Sequence, residues 1–135
     1  MSITYSTTLK NNRLQLVVDL IAGKTVASST GSATAGSLVI GDNTLSGSTG
    51  VLATITLSAT PGTVSGGVLT LSGTPLSATA SASGVAALAE LRNNSGTVIA
   101  SGLTVGTTLS DINLNSTTVV SGGTVTVTSG TITHG

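Results

Sequence analysis

Between residues 84 and 105 the chain reads GVAALAELRNNSGTVIASGLTV, and the four residues Asn93-Asn94-Ser95-Gly96 in its middle constrain everything around them. Asn, Ser and Gly tolerate left-handed backbone or cap a turn with their own side chains, so this cluster reverses the chain. Before it, Val85, Ala87, Ala89 and Leu91 alternate with Ala86, Leu88, Glu90 and Arg92; after it, the apolar run resumes at Thr97-Val98-Ile99. Alternation on both sides of a reversing turn describes a β-hairpin. A helix over 85–92 has Ala and Leu propensity in its favour, but no cap opens it and a turn follows within one short run.

The rest of the chain repeats the same grammar of short apolar alternation closed by Gly, Ser, Asn or Pro. Residues 37–41 form one strand, closed by Asp42-Asn43. In 51–58, Val51, Ala53, Ile55 and Leu57 point inward while Thr54, Thr56 and Ser58 point outward, and Pro61-Gly62 ends the run with turn chemistry. Ser65-Gly66-Gly67 introduces a strand at 68–72, and Pro75 opens a weaker extended segment to 82. Residues 111–115, 124–128 and 131–133 complete the set, with a turn at Gly122-Gly123 and a bulge or bend at Ser129-Gly130. Residues 24–35 read as a loop or a loosely specified edge strand.

One helix precedes these strands, over residues 8–22. Ser6, Thr7 and Thr8 can cap it, Leu9, Leu16, Val17, Leu20 and Ile21 face inward, Lys10, Asn11, Asn12 and Asp19 face outward, and Gly23 stops it. Such a stripe covers one end or face of a sheet, or else docks to a partner. The expected fold is therefore mainly β, an antiparallel β-sandwich or jelly-roll-like barrel with one N-terminal α-helix. It is a single domain: 1–7 an arm, 8–22 the helix, 37–135 the sandwich. No fixed period keeps turns and apolar positions in phase, which argues against a β-solenoid.

Composition limits what such a scaffold can do. Charged residues are 6% and aromatics 1% of the chain, with Tyr5 the single aromatic, so the core is built from Val, Leu, Ile and Ala. Each larger aliphatic side chain contributes about 1.5–3 kcal/mol on burial, which makes a thin core and favours stability drawn from subunit contacts. Net charge is zero, and Lys10, Arg13, Lys24 and Arg92 form no dense patch, so nucleic-acid binding has no basis. Cys is absent, which removes disulfides and thiolate metal sites. No stretch of about 18 apolar residues exists to span a bilayer, and Asp19 interrupts the apolar segment 14–21 that could otherwise resemble a secretory signal.

The pattern carries no catalytic residue, no cofactor-binding residue and no metal ligand set, and the expectation is a non-enzyme. Nucleophilic catalysis needs a base beside an activated hydroxyl, and the one histidine, His134, lies next to the C-terminus. Asp19, Asp42, Glu90 and Asp111 are isolated in sequence; a glycan hydrolase would have to bring two of them together in space, with Glu90 and Asp111 as candidates. Gly66-Gly67 and Gly122-Gly123 lack the strand-to-helix setting and the lysine of a phosphate loop. Glu90 and Arg92 share one face of one strand, where an ion pair at the surface or an interface is the ordinary reading. Thr54/Thr56, Thr124/Thr126/Thr128 and Thr131/Thr133 could form the flat threonine surface of an ice-binding protein, but strand alternation alone produces the same pattern.

An N-terminal polar arm and helix, then VLATITLS, SGGVLTLSG, LAELRNNSGTVIASGLTVG and finally SDINLNSTTVVSGGTVTVTSGTITHG, in that order, resemble small virion proteins encoded among the structural genes of tailed bacteriophages. The resemblance runs over nearly the whole chain, most clearly from Val51 to Gly135. It implies a head decoration (cement) protein: a β-sandwich oligomer, expected as a homotrimer, made in the host cytoplasm and seated on the capsid exterior against the major capsid protein, with neither nucleic acid nor membrane as partner. Residues 2–8 and exposed loops would bridge capsid subunits. Neck, fibre-base or other tail-associated and receptor-contacting proteins are the alternative within the same resemblance.

Overall fold

Ser6 starts the helix. Its Oγ accepts the N–H of Leu9 at 3.2 Å, and the first helical carbonyl bond runs from Lys10 N–H to Ser6 at 3.0 Å, which satisfies donors that a helix start leaves open. The computed structural model describes residues 6–22, 36–57 and 62–133. Residues 1–5 of the expected arm, the expected helix stop at Gly23, the expected loop or edge strand at 24–35, Ser58, Pro61 and His134 lie outside the described residues.

Helix α1 (Thr7–Ile21) is followed by β1 (Ser37–Ser46), β2 (Thr49–Thr56), β3 (Gly62–Ser65), β4 (Val68–Leu71), β5 (Leu76–Thr79), β6 (Gly84–Val85), β7 (Leu88–Arg92), β8 (Val98–Gly106), β9 (Ile112–Leu114), β10 (Thr118–Val119) and β11 (Thr124–Thr133). Nine of the strands join in one sheet, ordered β2-β1-β7-β8-β9-β11-β4-β3 with β5 also on β11, while β10 and β6 form a separate ribbon. The protein is mainly β with a single N-terminal helix among the described residues, and its sheet folds in a sandwich-like arrangement. β2 approaches β5, and the Ser81 N–H donates to the Leu52 carbonyl at 2.8 Å.

Strand β11 turns the corner of this sheet. β5 pairs with Thr124 to Val127, β4 pairs with Thr131 to Thr133, and the register against β9 shifts between Val127 and Ser129, where the sequence predicts a bulge. At the bend Gly130 leaves room for Leu71, whose Cδ1 would lie 2.5 Å from any added Cβ. Leu38, Ile40, Leu52, Ile55, Leu91, Ile112, Leu114 and Val127 fill the main core together with Ile21 from the helix. A second, smaller cluster of Leu14, Val18 and Leu69 fixes α1 to β4. Asn11 adds a polar tie, its Oδ1 accepting the Gly67 N–H at 2.7 Å in the β3–β4 turn.

Several expectations need correction. One strand pair is parallel, β8 with β9 through Val105↔Ile112, so the sheet is mixed rather than wholly antiparallel. The helix covers the sheet, but it is rotated from the expected face: Leu14, Val18, Asp19 and Ile21 are buried, Leu9 is exposed, and Lys10 and Asn11 are half-buried over the β3–β4 turn. A stripe counted from Leu9 leaves out Leu14, which is buried. Asp42-Asn43 does not close β1, which runs on to Ser46, and Gly62 begins β3. Leu52 is buried beside Ala53, because the β1–β2 register slips between Ile40 and Gly41.

Candidate functional site

The hairpin around Asn93 forms as the sequence predicts. Asn93 Oδ1 accepts the N–H groups of Ser95 and Thr97, each at 3.0 Å, and β7 pairs with β8 across the turn. This places Glu90 and Arg92 on one face of β7, and the two pair with each other: Arg92 Nε and Nη2 both donate to Glu90 Oε1. Arg92 Nη2 also donates to the Gly47 carbonyl at 2.7 Å.

That last contact reports an unexpected fold of the β1–β2 hairpin. Arg92 lies opposite Ser37, at the start of β1, whereas Gly47 sits at the tip of the hairpin. Residues 42–50 therefore turn back over the sheet as a flap. Gly41 is the bend, with Leu45 so close above it that an added Cβ would lie 2.7 Å from Leu45 Cδ1. Beneath the flap Val39 and Glu90, paired across β1 and β7, are buried on the face away from the main core.

At the other end of β7 three segments of the chain lie side by side. The Ala87 N–H donates to the Gly41 carbonyl at 2.9 Å, and the Val105 N–H donates to the Ala87 carbonyl at 3.1 Å. Just beyond this row an open depression of about 390 Å³ is lined by Asp42, Asn43, Val85 and Ala87. Thr44 donates through both its hydroxyl and its N–H to Asp42 Oδ1, and these bonds, the hydroxyl's first, hold the Asp42 carboxyl below its ordinary value.

At the same end of the sheet β8 continues into residues 107–111, which lead into the parallel strand β9. Thr104 and Asp111 close this loop reciprocally, the Thr104 N–H to Asp111 Oδ2 at 3.0 Å and the Asp111 N–H to Thr104 Oγ1 at 3.1 Å. Ser110 N–H donates to Asn113 Oδ1 at 3.1 Å, and Asn113 Nδ2 donates to Ser129 Oγ at 3.0 Å. At the tip Leu109 is fully exposed and has φ 55°, the single non-glycine residue at positive φ among those described. Val85, on the β6–β10 ribbon, and Val120, just after β10, are also exposed.

Among the described residues, no three of the His, Asp and Glu side chains come together as a metal-binding group. Glu90 is engaged by Arg92 and Asp111 by Thr104; Asp19 is buried on the helix, where Gln15 Nε2 donates to it at 3.2 Å. No helix among the described residues is long and apolar enough to cross a membrane. Sequence reasoning missed the Thr104–Asp111 clamp and Leu109. The available signal was one large apolar residue inside the polar run Thr107-Thr108-Leu109-Ser110-Asp111, which fits neither a strand nor a core position. Comparison with protein-family models, with curated proteins and with solved structures found no match.

Proposed function

We propose that this chain is a structural protein of a tailed-phage virion, a decoration protein that binds the major capsid protein on the head exterior as a homo-oligomer, expected to be a trimer. One observation carries the reading: the connections between strands are braced from within by their own Asn, Asp, Ser and Thr side chains. Asn93 holds the β7–β8 turn, Thr104 and Asp111 the β8–β9 loop, Ser83 the Ser121 N–H at 2.8 Å, and Ser116 the Thr118 N–H at 3.2 Å. Loops fixed in this way present shape and backbone to a partner with little entropy left to lose on binding, and many weak identical contacts add up over a lattice. The resemblance of the ordered segments to phage virion proteins points the same way. The test is binding of the purified protein to expanded heads that lack it, followed by heat and low-salt challenge. Lattice-wide binding with a gain in head survival supports the proposal; absence of binding, or signal confined to one vertex or the tail in micrographs of antibody-labelled virions, overturns it.

A further inference from the structure

Leu109 combines two unfavourable features that nothing among the described residues offsets. Its side chain is wholly in solvent, and its backbone sits at φ 55°, a conformation that crowds the Cβ of any residue but glycine. The surrounding bonds maintain it. Thr104 and Asp111 clamp the base of the loop, Ser110 is held by Asn113, and Ser110 Oγ donates to the Thr108 carbonyl at 3.3 Å. The loop is thus built to hold an apolar side chain outward.

The same end of the molecule carries a place for such a side chain. The depression walled by Val85 and Ala87 lies across the Gly41–Ala87–Val105 row from the loop. Its rim is Asn43 and Asp42, and the Asp42 carboxylate is turned to Thr44. We infer that Leu109 of one copy seats in the Val85–Ala87 depression of a second copy of this chain.

A second copy is the favoured occupant because loop and hollow lie at the same end of the paired strands β1, β7 and β8, so identical chains supply both halves of the contact. Asp42 and Asp111 are the charged residues of the two segments, each already bonded to a neighbouring threonine, so seating Leu109 requires no new partner for a charge. A lipid surface fits less well: residues 41–44, 83–87 and 105–111 contain no Lys or Arg, and one leucine is a weak membrane anchor. The inference rests on the self-association part of the proposed function and is independent of the capsid partner.

The experiment is sedimentation equilibrium of the full chain over a concentration series, for the parent and the variants Leu109→Gly, Val85→Glu, their combination, and Val98→Ser. Val98 is exposed but lies opposite Arg92, at the far end of β7. Leu109→Gly and Val85→Glu each weaken association about ten- to hundred-fold, the double variant weakens it no further than the stronger single one, and Val98→Ser leaves it unchanged. Because glycine relieves the backbone, Leu109→Gly also melts higher as an isolated subunit while associating less, which separates lost contact from lost folding. A parent that stays monomeric at millimolar concentration overturns both the inference and the self-association reading. A parent that associates while Leu109→Gly associates as tightly overturns the inference alone.

Discussion

Thr104 and Asp111 each donate a backbone N–H to the other's side chain, at 3.0 and 3.1 Å, and so close the loop between the two strands that run parallel. Parallel neighbours are ordinarily joined by a long crossover. Here residues 107–111 suffice, because β8 and β9 are in parallel register only through Val105 and Gly106.

The clamp makes the first prediction. A side-chain-to-backbone hydrogen bond nets about 1 kcal/mol, so Asp111→Ala and Thr104→Val each lower stability by roughly that amount. Asp111→Asn, which keeps an acceptor oxygen, costs less. The double variant costs less than the sum, since either change alone already frees the loop. Urea unfolding of the parent and the four variants measures this; strictly additive losses would show that the two residues act separately.

Arg92 makes the second. It neutralises Glu90, whose side chain is 11% exposed, and ties the flap through Gly47. Arg92→Ala leaves a largely buried carboxylate unpartnered, at a cost of about 3 kcal/mol, the low end of the range for broken buried pairs because some solvent contact remains. Replacing both residues by leucine recovers most of that loss. Hydrogen exchange gives a second readout: in Arg92→Ala the amides of residues 42–50 exchange faster by a larger factor than those of β11. Equal acceleration in both would mean that Arg92 supports the whole fold and not the flap.

The sequence disclosed the hairpin, the helix and the bulge in β11, because each rests on local chemistry: Asn93 and Gly96 at a turn, Ser6 at a cap, Gly130 at a bend. It concealed what depends on distant residues. Nothing local says that Asp42-Asn43 continues a strand into a flap, since the reason is Arg92, many residues later, bonding to Gly47. The helix face was misjudged at Leu9 and Asp19 because the stripe on α1 is shallow, and Leu69 and Val64 on the sheet decide which turn of it is covered. The pairing of Thr118-Val119 with Gly84-Val85 was missed because two-residue strands carry no period. At the candidate site, Glu90 and Arg92 were visible as a same-face pair, while Leu109 was not, since positive φ leaves no mark on a leucine.

Asp42 supplies a pH-dependent prediction. Its carboxyl is held below the ordinary value first by the Thr44 hydroxyl and then by the Thr44 N–H. A depressed folded-state value means that this interaction contributes at pH above the ordinary carboxylate range and is lost as pH falls through the folded value. Thr44→Val removes the larger cause and keeps the backbone donor, so Asp42 titrates at higher pH than in the parent, though still below an unbonded aspartate. Carbon-detected NMR titration of the Asp42 carboxyl reads the change directly. An unaltered titration in Thr44→Val would assign the shift to something other than that hydroxyl.

Two glycines near the ends of β1 separate steric from conformational cost. At Gly36 a Cβ would lie 2.5 Å from the Arg92 carbonyl oxygen, 2.7 Å from the Ile21 carbonyl oxygen and 2.7 Å from Ile21 Cγ2. Two of those atoms are backbone and cannot rotate aside, and the Gly36 carbonyl itself accepts the Leu57 N–H at 2.9 Å. Gly36→Ala therefore wedges the end of α1 away from β7 and costs about 1–3 kcal/mol, as overpacking does. Gly47 has φ 59° and open space around its Cβ position, so Gly47→Ala costs about 1–2 kcal/mol through backbone strain alone. Equilibrium unfolding cannot tell these apart, but a second change can. Adding Ile21→Ala to Gly36→Ala removes the methyl contact and leaves both carbonyl clashes, so stability falls further; a rescue would mean that the side chain, and not the backbone of Arg92 and Ile21, is what requires glycine at position 36.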